Sequence, residues 1–188
     1  KMNPASQRCF CSLESLRGVA ALIVVLYHVH GWGNLVTNCL FVWNGYLMVD
    51  LIFVLSGFVI CHNYFQKING RRDLAGFMLL RFGRLYPLHL FFLCVFLGLE
   101  TVKMVAELKT GFVPTHSQAF SVNNASSFLA HLLFMQSFFA FSDKPFDTPS
   151  WSIGVEFYTY LLFGLLILVV GRRRIVPIAG LLVAGAIV

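Results

Sequence analysis

The stretch TPSWSIGVEFYTYLLFGLLILVVGRRR, Thr148 to Arg174, decides how the rest of the chain is read. Thr148 is a good N-cap, Pro149 suits the first helical position, and nothing interrupts a helix before Gly171 and the run Arg172, Arg173, Arg174. The segment to Val170 is apolar nearly all round, so it offers no face to water, and it has about the ~20 residues that cross a ~30 Å hydrocarbon core. Glu156 is the exception. A carboxylate inside such a span is costly, and nothing in membrane topology requires it.

Working outward, the same pattern recurs. Apolar runs cover about Gly18 to Leu35, Gly45 to Phe65 with Asp50 near its start, and Phe77 to Leu99; a last run begins at Ile175 and reaches Val188. The third carries Arg81 and Arg84 in its first turns and Pro87, which is expected to bend it. Across the chain 58% of residues are hydrophobic, only 12% are charged, and 20 are Phe, a composition whose natural solvent is a bilayer. The fold expected is all-α, a polytopic transmembrane helix bundle of about five spans, with the chain forming the N-terminal part of a single transmembrane domain over 1–188. Glu100 to Ser127 reads as a mixed polar connection. The apolar run Phe128 to Phe141 is too short to cross and is expected to be re-entrant or to lie along the outer interface.

The net charge of +6 does not point to nucleic acid, because the basic residues sit in short clusters at the ends of apolar runs rather than along one face. They read as topology signals that put the N-terminus, Gln66 to Asp73 and Gly171 to Arg174 in the cytoplasm of a multi-pass protein of the cell membrane. Cys9, Cys11, Cys39, Cys61 and Cys94 form neither a disulfide framework nor a metal pattern, and His28-Val29-His30 lacks a third ligand in order, so no metal site is read.

With that topology Arg17, Arg81 and Arg84 fall at cytoplasmic helix ends, while Asp50 and Glu156 fall near outer ends. His28 is about three helical turns, roughly 16 Å, beyond Arg17 and on nearly the same face, which carries it toward the carboxylates. Each residue also has a plain structural reading. The arginines could anchor helix ends, Asp50 and Glu156 could bridge helices, Trp151 and Tyr158 could be interface aromatics, and Ser56-Gly57 could be a packing notch. His30 competes with His28 for any role the pair plays.

Four blocks taken together resemble a known family. Leu16-Arg17-Gly18-Val19-Ala20-Ala21-Leu22, continued to Tyr27-His28, is similar to the Arg-x10-His signature of the acyltransferase 3 family of membrane acyltransferases, with Glu14 where many relatives carry Asp. The segment from Val49-Asp50 to Ser56-Gly57-Phe58 resembles that family's second-helix motif. Arg81-Phe82-Gly83-Arg84 resembles its Arg-x-x-Arg element, and Trp151-Ser152-Ile153-Gly154-Val155-Glu156 its Trp-Ser-x-x-x-Glu block.

The resemblance implies O-acyl transfer, with no bound cofactor, from acetyl-CoA or another acyl-CoA to a hydroxyl of a carbohydrate or cell-envelope glycan. Arg17, Arg81 and Arg84 would bind the donor's phosphates, His28 would be the base, and Asp50 or Glu156 would orient it. Two other classes fit the residues: a transporter in which Asp50, His28 and Glu156 relay protons, and a non-catalytic remnant whose spans serve packing.

Overall fold

A computed structural model describes residues 4–28, 39–111, 117–138, 146 and 150–171, and every regular element among them is helical. In chain order these are α1 (Pro4–His28), α2 (Leu40–Trp43), α3 (Leu47–Tyr64), α4 (Arg71–Thr110), α5 (Ala125–Leu132) and α6 (Trp151–Val170), with a 3-10 turn at Met135–Ser137. The chain divides into two compact units, Lys1–Lys67 and Ile68–Val188.

Among the described residues three helices, α3, α4 and α6, are long and apolar enough to cross a membrane. They correspond to the second, third and fourth expected spans. The described part of the first expected span, as far as His28, lies in α1, which is not one of these three; its remainder, and the whole run from Ile175, lie outside the described residues. Large side chains such as Leu79, Leu88, Phe91 and Val169 stay exposed on the spanning helices. Hydrocarbon, unlike water, sets no penalty on such surfaces. The protein is a membrane protein.

The bounds of α4 correct two expectations. Its start at Arg71 absorbs the end of the basic loop, because Gly70 is extended and Asp73 in the first turn accepts a hydrogen bond from the Asn69 amide at 2.9 Å. Arg81 and Arg84 are therefore well inside the helix, not in its first turns. At the other end the helix continues through Glu100 to Thr110, which the polar composition suggested was a connection. Glu100, Lys103 and Glu107 share one face, and the carboxylates collect the polar groups of the returning chain. Glu107 accepts from the Ala119 amide at 2.9 Å, and Glu100 from the Phe120 amide at 3.0 Å and the Asn123 side chain at 2.6 Å. At ~1.5 Å per residue this helix of 40 residues is about 60 Å long, twice a ~30 Å hydrocarbon core, so its charged end is the part that projects from an apolar layer. Gly111, at φ 65°, closes it in the left-handed region. Pro87 lies inside the unbroken helix.

The run expected not to cross is indeed broken. Asn124 caps α5 by accepting from the Ser127 amide at 3.0 Å, and after only 8 residues the backbone turns at Phe134, whose φ is 58°. That leaves a helix of about 12 Å, far short of a span. Residues 139–141 of the run lie outside the described residues.

Phe134 is the hub of the second unit. Only 2% exposed, its ring meets Tyr86 at 5.6 Å, His89 at 5.1 Å and Phe82 at 6.3 Å, a stripe of α4, and Phe157 of α6 at 5.0 Å. Side-chain bonds from the turn hold the start of α6: Gln136 Nε2 donates to the Ser150 carbonyl at 2.8 Å, and Ser137 Oγ to that of Trp151 at 2.6 Å. Ser150 is thus the residue before α6; Thr148 and Pro149, the expected N-cap and first helical residue, lie outside the described residues. Below this wedge α4 and α6 run antiparallel, with Phe77 against Tyr160 and Phe163 and Leu74 filling the space above Gly164.

The closeness of this packing is testable at Gly154, where an added Cβ would lie 2.5 Å from the Phe134 carbonyl oxygen and 3.1 Å from Ser137 Oγ. Overpacking of this kind costs ~1–3 kcal/mol. Gly154→Ala is expected to lower the thermal unfolding midpoint in detergent, while Gly57→Ala, where nothing lies within 4 Å, leaves it unmoved. Equal midpoints for Gly154→Ala and the parent would show that the wedge is loose.

Candidate active site

Arg17, His28 and Asp50 belong to the first unit; Arg81, Arg84 and Glu156 belong to the second. In the first, α1 and α3 are antiparallel. The end of α1 closes onto the turn before α3 because Gly45 has no side chain: a Cβ there would be 2.8 Å from Tyr27 Cβ and 3.2 Å from the Ile23 carbonyl oxygen. Tyr27 and Tyr46 rings then meet at 6.2 Å. Nearly three turns further along the pair, the Arg17 guanidinium donates to Ser56 Oγ, a hydroxyl in a residue only 2% exposed. Arg17 is therefore in mid-helix, level with the middle of α3, and not at a helix end. Ser56 is the buried partner of a cation, which its packing-notch reading did not include.

His28 is exposed at the end of α1, and its Nδ1 lies 2.8 Å from the Val24 carbonyl oxygen. A carbonyl only accepts, so Nδ1 carries the proton, and whenever the ring is neutral Nε2 is its acceptor. The carbonyl thus holds the tautomer, a task expected of a carboxylate. Asp50, exposed in the first turn of α3, is about 7 Å along the axis from His28 by the antiparallel register, and among the described residues the two are not hydrogen-bonded to each other. His30 lies outside the described residues.

In the second unit the expected separation of arginines from carboxylate along the membrane normal does not hold. Tyr160 follows Glu156 by one turn of α6, and its hydroxyl donates to Glu156 Oε1. The same ring lies 5.7 Å from the Arg81 guanidinium, which also sits 5.4 Å from the Phe77 ring. Arg81 and Glu156 are thus at one level, joined through a tyrosine. The reason is the length of α4 before Arg81, which shifts the arginine inward relative to the start of the helix. Arg81 is half-buried and Arg84, nearly a turn further on, is exposed.

Tyr160 carries a signal that sequence reading missed: four residues after an intramembrane glutamate, it must share that residue's helix face. His89 and His131 had none, since their partnership is tertiary. His89 Nε2 donates to the His131 carbonyl at 2.9 Å, His131 Nδ1 donates to that of Ser127 at 2.8 Å, and the two buried rings lie nearly parallel. They tie α5 to α4. Among the described residues no group of three or more His, Cys, Asp or Glu is placed to hold a metal.

Chemically these groups comprise an imidazole with a free acceptor nitrogen, a carboxylate held by a phenol and guanidinium groups. Comparison with known proteins gives the family in which these groups occur. Protein 2 in picA locus of Rhizobium radiobacter is 37% identical over 110 residues, covering 53% of this chain and 55% of that protein. O-acetyltransferase OatA of Staphylococcus aureus strain NCTC 8325 / PS 47 is 29% identical over 171 residues, covering 86% of this chain and 25% of that protein. The chain thus spans about half the length of the first relative and a quarter of the second. No solved structure matches it. The family model described as acyltransferase domain matches residues 12–188, which contain all four motif blocks, and the chain belongs to that acyltransferase 3 family.

Proposed function

We propose that this chain supplies the N-terminal part of a single membrane-embedded acyltransferase domain that moves an acetyl group from acetyl-CoA, or another acyl group from its CoA ester, to a hydroxyl of a carbohydrate or cell-envelope glycan. Family membership supports acyl transfer, and similarity to a protein named O-acetyltransferase supports oxygen as the acceptor atom. The observation that carries the reading is the 2.8 Å contact of His28 Nδ1 with the Val24 carbonyl oxygen, which uses that nitrogen as a donor and leaves Nε2 for the acceptor hydroxyl.

In the reaction His28 Nε2 takes the proton of the acceptor hydroxyl as its oxygen attacks the thioester carbonyl. The tetrahedral oxyanion collapses, the carbon–sulfur bond breaks, and the imidazolium returns the proton to the leaving thiolate. A carboxylate, Asp50 or Glu156, stabilises the imidazolium while it is charged, which is the electrostatic part of a triad aspartate's role. The donor's phosphates meet guanidinium groups, which bind such oxygens bidentately. Exposed Arg84 is the primary contact; Arg81, held between two rings, is the second anchor, and Arg17, bound to Ser56, acts mainly by fixing α1 on α3. The basic clusters support a cell-membrane protein with a cytoplasmic N-terminus, so that donor arrives from the cytoplasm and acceptor from the other side.

His28→Ala in the full-length protein is expected to reduce acyl transfer in membranes by about 10²–10⁴-fold, the usual worth of a general base, with insertion unchanged. Product formation at the parent rate would remove His28 from the mechanism. For the donor, Arg84→Ala is expected to raise KM about tenfold or more, the scale of a lost charge-assisted hydrogen bond, and Arg84→Lys to restore little of it. Arg81→Ala is expected to raise donor KM as well and, because the arginine is packed between two rings, to lower the unfolding midpoint. Donor KM values that do not move would return the arginines to the role of topology anchors.

A further inference from the structure

Tyr160 belongs to none of the motif blocks, yet it is the residue through which two of them meet. Its side chain is 6% exposed, packed edge-on against buried Phe77 with ring centroids 6.2 Å apart. Both of its chemical ends are used. The hydroxyl donates to Glu156 Oε1, and the ring face receives the Arg81 guanidinium at 5.7 Å.

These two contacts reinforce each other. A phenol that donates to a carboxylate gains electron density on its ring, and a richer ring attracts a guanidinium more strongly. Conversely, a cation drawn onto the ring makes the hydroxyl a better donor. Glu156, a side chain with several rotatable bonds, is held at one oxygen while Oε2 is left for a substrate hydroxyl. Arg81 is set in orientation by two rings at little entropic cost, because Tyr160 and Phe77 are themselves buried.

We propose that Tyr160 is a positioning residue that couples the donor anchor Arg81 to the Glu156 carboxylate, so that a donor seated against the arginine orders the carboxylate for transfer. The proposal rests on the acyltransferase reading and on Arg81 and Glu156 serving as donor and carboxylate sites. Its consequence is a division between the two ends of one side chain. The hydroxyl governs turnover through Glu156, and the ring governs donor use through Arg81.

The test uses the full-length protein in membranes, with steady-state transfer from acetyl-CoA measured for Tyr160→Phe, Tyr160→Leu, Glu156→Gln and the Tyr160→Phe/Glu156→Gln double variant. Tyr160→Phe keeps the ring, so kcat is expected to fall about tenfold, as for a lost hydrogen bond to a charged group, with donor KM within a factor of about two. Tyr160→Leu should raise donor KM as well. In the Glu156→Gln background Tyr160→Phe should add no further loss. Parent-like kcat in Tyr160→Phe, or an equal further loss in the double variant, overturns the coupling while leaving the acyltransferase reading intact. If Glu156→Gln turns over normally, the carboxylate site is wrong and the coupling falls with it. An infrared measurement decides the contact itself without relying on activity. The Glu156 carboxyl band, assigned by its loss in Glu156→Gln, should shift in Tyr160→Phe and not in Tyr158→Phe. An unshifted band overturns the proposal even where no transfer is detected.

Discussion

Charge on an apolar helix needs solvation, and with hydrocarbon outside it, that solvation must come from the protein. Three charged side chains on the helices of this chain follow from that constraint. Arg17 turns inward to a buried serine hydroxyl, Arg81 lies between two aromatic faces, and Glu156 takes a phenol hydroxyl. Each arrangement replaces water with a donor, an acceptor or a ring quadrupole. The cost of leaving any of these groups against lipid, a few kcal/mol at least, is what fixes the rotation of its helix.

A second constraint acts on the backbone. A segment too short to span cannot leave amides facing hydrocarbon, so it must be covered by protein. Here α5 is tied down by side chains at both ends. Asn124 caps its start, the two histidines bond it to α4, and the Tyr158 hydroxyl donates to the Leu133 carbonyl at 3.0 Å where the chain turns. Phe134 then fills the space between α4 and α6, and Gly154 permits the approach. The level of Glu156 is set by this wedge, since the start of α6 hangs from Gln136 and Ser137. Packing far from the reacting groups thus places a carboxylate.

The first unit uses the same economy with fewer parts. Gly45 lets the end of α1 rest on the turn before α3, and the Arg17–Ser56 contact fixes the register further along. Those two points leave His28 at an exposed helix end with its tautomer held by the carbonyl of its own preceding turn.

Much of this was legible from residue order. Apolar runs of spanning length, a short run that could not cross and charged side chains stranded inside spans are local properties, because hydrocarbon imposes them on any ten or twenty residues without regard to the rest of the chain. The four motif blocks marked the family for the same reason: each is a short string. What residue order did not reveal is what depends on distant partners. Glu100 and Glu107 read as a polar connection, and only the returning segment Ser117 to Asn123, which they bind, makes that stretch the end of a long helix. The levels of Arg81 and Arg84 depend on where α4 starts, which Asp73 and Asn69 decide by a bond that apolar patterning does not register. The Arg17–Ser56, His89–His131 and Arg81–Tyr160 contacts join residues far apart in the chain. Tertiary structure alone chooses among such partners, because many side chains could satisfy a buried charge and only the packing of the helices brings one of them within reach.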